Sequence, residues 1–245
     1  MNTPFGFQGA IRSSVAFDGP TDTFTVDGIT MTVEGGVFSV GYQREDQEQE
    51  ARRLVAALIE AWMFRHNAKL SVDFNQSWRV EADRHRSVFV NLQGVARGTA
   101  TAYGMVTVRD EHGNDVTQVI NPYSFANDQR LAENAYNDHT LATALRYFVQ
   151  EVIEDERPLY GIYKAIEEVT EHLAALHNRN RHKRDRKDGR QLLAALVGKS
   201  EGFVGDLMET TQLQRHARTP ARRRLSNEEC HARAKMLIEA YAQSL

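Results

Sequence analysis

From about Thr21 to Ile120 the chain repeats short runs in which apolar and polar positions alternate: DTFTVDG, ITMTVEGG, VFSVGY, KLSVDF, SVFVNLQG, TAYGMVTVRD and VTQVI. Alternation sends successive side chains to opposite faces, so these runs predict half-buried strands, with turns at Asp27 and Gly28, at Gly35 and Gly36, and at DEHGND. One stretch breaks the rhythm. In EDQEQEARRLVAALIEAW the residues Ala51, Leu54, Val55, Leu58, Ile59 and Trp62 recur at steps of three and four, which predicts a helix with one apolar and one charged face. Such a helix needs a sheet face to cover, so the first half reads as a β-rich α+β layer domain with Trp62 beneath the sheet.

After INPYSFAND the alternation gives way to helical stripes. Leu141, Leu145, Phe148, Val149 and Val152 form one, and Leu159, Ile162, Tyr163, Ile166, Val169, Leu173 and Leu176 a longer one that begins at Pro158. Two shorter helices are predicted in GRQLLAALVG and, from Ser200, in SEGFVGDLMETTQ. The last has the clearest start, because Ser226 followed by Glu229 fits a capping box ahead of the stripe Ala234, Leu237, Ile238, Tyr241 and Leu245. The fold expected is therefore α+β, with a β-rich domain over residues 1–122 and an all-α bundle of about five helices over 123–245. The stretch from Pro122 to Asn137 is read as a packed hinge.

Composition narrows the class. A chain of 245 residues with 41% hydrophobic and 26% charged positions is globular and long enough for one or two cores. No run approaches ~18 apolar residues, and the opening MNTPFGFQGAIRSS lacks the basic start and apolar stretch of a leader, so the expected location is the cytoplasm, with no membrane partner. Cys230 is the single cysteine, which excludes an internal disulfide framework and every multi-thiolate zinc site.

Charge changes the picture more. Between His177 and Arg224 there are 13 Lys/Arg against 5 Asp/Glu, while the rest of the chain holds 17 against 28. The run HNRNRHKRDRKDGR precedes one predicted helix and QRHARTPARRR precedes another. If the two short helices between them form a hairpin, both runs emerge at one end of the bundle and their fields add. Arginine outnumbers lysine there, which suits bidentate phosphate contacts and marks Arg179, Arg181, Lys183, Arg184, Arg215, Arg218, Arg222 and Arg223 as candidate RNA or phosphate ligands. A solvated basic loop, or a dock for the acidic stretch Glu45 to Glu50 or for another protein, is the competing reading.

Other chemistry is weakly encoded. GKSE at Gly198 resembles the tail of a phosphate-binding loop, but Leu193 stands where the first glycine belongs and a helix precedes it. His172, His177 and His182 are spaced five apart, which puts them on different helix faces, and DEHGND lacks the length of a calcium loop, so neither metal nor cofactor is expected.

Arg224, followed by LSNEEC and then His231 at a capped helix start, resembles the motif of the HEPN superfamily, helical domains of prokaryotic toxins and antiviral defence proteins in which an Arg is followed after a few residues by a His. Leu225 stands where that family usually carries a polar residue. The resemblance covers residues 128 to 245. It implies a homodimer that cleaves RNA without metal, the substrate's 2′-hydroxyl attacking the adjacent phosphate while a histidine, His231 or His216, handles protons and Arg224 stabilises charge. The family also contains members that only bind, which leaves a non-catalytic adaptor or regulatory subunit as the alternative.

Overall fold

The structure is a computed structural model that describes residues 3–13, 21–67, 70–80, 86–90, 125, 128–154, 159–177, 186–215 and 225–245. In chain order it contains β1 (Phe5–Ser13), β2 (Asp22–Val26), β3 (Ile29–Glu34), β4 (Val37–Tyr42), α1 (Glu48–His66), β5 (Leu70–Val80) and β6 (Arg86–Val90). Helices follow: α2 (Gln129–Asn137), α3 (His139–Glu154), α4 (Tyr160–His177), α5 (Arg186–Leu196), α6 (Glu201–Arg215) and α7 (Asn227–Gln243). This is the α+β class that the hydrophobic pattern predicts. The strands expected at TAYGMVTVRD and VTQVI, the DEHGND turn and Pro158 lie outside the described residues.

The strands form one antiparallel sheet in the order β2-β3-β4-β1-β5-β6. Two tight hairpins shape its first half. Asp27 and Gly28 have φ of 50° and 77°, and Gly35 and Gly36 have 52° and 76°, the left-handed pairs that match the twist of two-residue hairpins. One face is apolar: Phe7 lies opposite Val40, Gly9 opposite Phe38, and Val40 opposite Met31, and these apolar side chains are buried. On the other face Thr23 and Thr32, and Thr25 and Thr30, meet as hydroxyl pairs at 3.3 and 3.1 Å.

β1 is the strand that the alternation did not announce, and it sits between β4 and β5. Its sequence, FGFQGAIRS, carries two glycines, which lower strand propensity and blur the pattern. The glycines have a steric reason. A methyl group on Gly6 would overlap the Trp78 indole and the Val40 carbonyl, and one on Gly9 would overlap the Phe38 ring and the Asp73 carbonyl.

The described chain divides into two compact units, one of residues Met1–Val55 and Leu70–Asn127, the other of Ala56–Lys69 and Asp128–Leu245. The division passes through α1. Its first turns belong to the sheet unit, where buried Gln47 accepts the Gln43 and Arg44 amides and donates to the Asp27 carbonyl, tying the helix start to the β2–β3 turn. One turn on, the Arg52 guanidinium lies over the rings of Phe7 and Phe74 at 5.0 and 4.6 Å, held there by Glu48.

The later turns of α1 belong to the helical unit. Trp62, expected beneath the sheet, is fully buried and falls in the helical unit, and Phe64 meets Phe148 of α3 edge to face at 4.9 Å. α2 corrects the hinge reading: Leu131, Ala132, Ala135 and Tyr136 form a short buried stripe where no helix was expected. The remaining helices follow their apolar stripes, with Leu141, Leu145 and Phe148 of α3, Ile162, Ile166 and Val169 of α4, and Leu237, Ile238 and Tyr241 of α7 all buried. α5 approaches α4 closely because Gly189 has no side chain; a methyl group there would overlap the Thr170 carbonyl.

Candidate functional site

Among the sequence-derived candidates, His216, Arg224, Arg218, Arg222, Arg223, Arg179, Arg181, Lys183 and Arg184 lie outside the described residues. Arg215 closes α6, and its side chain is likewise outside the description. His231 is the candidate whose side chain is described. It sits in the first turns of α7, half-buried, with its ring edge-on to Phe148 at 5.7 Å and 80°. The capping box that starts α7 forms as expected: Glu229 N–H donates to the Ser226 hydroxyl at 3.1 Å, and Ser226 N–H donates to the Glu229 carboxylate at 2.7 Å. Those bonds hold the Glu229 carboxyl below its usual range.

The scaffold that carries the basic runs is described. α5 ends in a Schellman turn, with Lys199 N–H on the Ala194 carbonyl at 2.9 Å, Gly198 N–H on the Ala195 carbonyl at 3.0 Å, and Gly198 at φ 65°. α6 starts directly after it, and both helices contact each other, α4 and α7. Arg190 of α5 pairs with Glu201 of α6 at 2.6 Å across the turn. A connection this short between packed helices sends the second back along the first. The two basic runs adjoin this pair, one at the start of α5 and the other at the end of α6.

The same unit holds a charged cluster that sequence reasoning missed. Asp128 directly precedes α2 and has no exposed side-chain surface. Its carboxylate does not cap that helix. It turns to the end of α1, where Arg65 Nε lies 3.1 Å from one oxygen and His66 Nε2 lies 3.4 Å from the other. Arg65 and His66 are 39% and 28% exposed, so the charge reaches solvent only through its partners. The His66 ring lies 4.6 Å from the Trp62 ring, inclined at 35°. Burial pushes the Asp128 carboxyl above its usual range, and the positive fields of His66 and Arg65 pull it back.

Lys235 of α7 completes the cluster. Its ammonium donates to the Arg65 carbonyl at 2.9 Å and lies 5.4 Å from the Phe64 ring, the placement a cation favours at a helix C-terminus. Partial burial pulls its pKa down, and Glu239 beside it pushes it back up. Elsewhere in the unit, burial raises the Glu60 carboxyl against the pull of Arg146, and raises the Tyr241 hydroxyl, which donates to Asp138 at 3.3 Å. In the sheet unit burial and the nearby Glu48 push Tyr42 up to about 12, so this phenol is a donor at neutral pH.

What the Asp128 arrangement can do is hold one buried carboxylate between a guanidinium and an imidazole. The signal for it in the sequence is thin. Arg65 and His66 read as the basic last turn of a helix, and Asp128 stands far from both in the chain where it resembles a loop residue. Comparison of the chain with protein-family models, with curated proteins and with solved structures finds no match.

Proposed function

We propose that the helical unit binds RNA or another phosphate-bearing ligand at its basic end, and that in its sharpest form this is metal-independent RNA cleavage of the HEPN kind by a cytoplasmic homodimer in a defence or toxin setting. The observation that supports the reading is the excess of basic residues in the two runs that flank α5 and α6, helices joined by a short turn and packed on each other. An excess of eight positive charges over residues 177–224 is the electrostatic footprint of a polyanion ligand. The half-buried His231 near the start of α7, and His216 in the run itself, are the groups that would handle protons in cleavage.

The test separates binding from chemistry. Replacing Arg222, Arg223 and Arg224 together by Glu should abolish salt-sensitive binding to single-stranded RNA, and His216→Ala or His231→Ala should remove cleavage to 2′,3′-cyclic phosphate ends while leaving binding in place. A wild-type protein with no salt-sensitive affinity for RNA at low ionic strength would sink the binding reading in favour of a protein-docking adaptor. If RNA is bound and both histidine variants cleave like wild type, the chemistry fails while the binding stands.

A further inference from the structure

We draw no further inference here: the strongest candidate, the side-chain cluster at the start of α1 in which Glu48 holds the Arg52 guanidinium over the rings of Phe7 and Phe74, is closed by its own cation and carboxylate, and nothing among the described residues shows what would take the place of either.

Discussion

In the sheet unit, close packing depends on atoms that are absent. Gly6 and Gly9 leave room for the Trp78 and Phe38 rings to lie against the middle strand, and Arg52 covers the rings of Phe7 and Phe74. In the helical unit it depends on apolar stripes that are present, and the departure from apolar packing is a buried charge, Asp128, held by Arg65 and His66. The contrast teaches where information hides. A stripe of leucines announces itself in the sequence, whereas a missing methyl group or a carboxylate paired over a long chain separation does not.

The largest expected effect tests which unit owns the end of α1. Trp62→Ala should lower the unfolding free energy by about 3–5 kcal/mol and strip exchange protection from the helices, because the indole is fully buried in the helical unit. Protection lost in β1, β4 and β5 with the helices intact would move Trp62 to the sheet and blur the contrast. Gly9→Ala sharpens it from the other side. The added methyl meets the Asp73 carbonyl, which is backbone and can yield only if the strands part, so a loss of about 1–3 kcal/mol centred on β1 and its neighbours is expected. An alanine tolerated there without cost would show that the central strand has slack.

The smallest effect lies at the start of α7. Ser226→Ala should cost about 1 kcal/mol at neutral pH by removing one half of the capping box, read as a shift in denaturant midpoint. The pH dependence has a fixed sign. Because the Glu229 carboxyl sits below its unfolded value, its contribution is present above the usual carboxylate range and fades as pH falls through the lowered one. A double variant with Ser226→Ala and Glu229→Ala that keeps the wild-type acid profile would break this account.

The elements with a clean period were legible from the sequence: the β2–β3 and β3–β4 hairpins through their glycines, α1, α3, α4 and α7 through their stripes, and the Ser226 cap through its spacing. β1 was not, because Gly6 and Gly9 lower strand propensity for a reason that only the opposing rings reveal. α2 was not, because nine residues give too few turns for a period to stand out and Asp128 resembles a loop residue until its partners are seen. For the candidate site, the charge excess and the helices that border it could be read directly. The pairing of Asp128 with Arg65 and His66 could not, since it joins positions that only the fold brings together.

The interleaved path of the chain bears on how the gene can be cut. A fragment beginning at residue 128 would carry α2 through α7 intact, yet Phe148 would lack Phe64, Asp128 would lack both of its cations, and Lys235 would lack its carbonyl acceptor. No single stretch of the coding sequence that omits the sheet unit specifies the helical unit. Expressing it alone calls for splicing residues 56–69 to the front of 128–245.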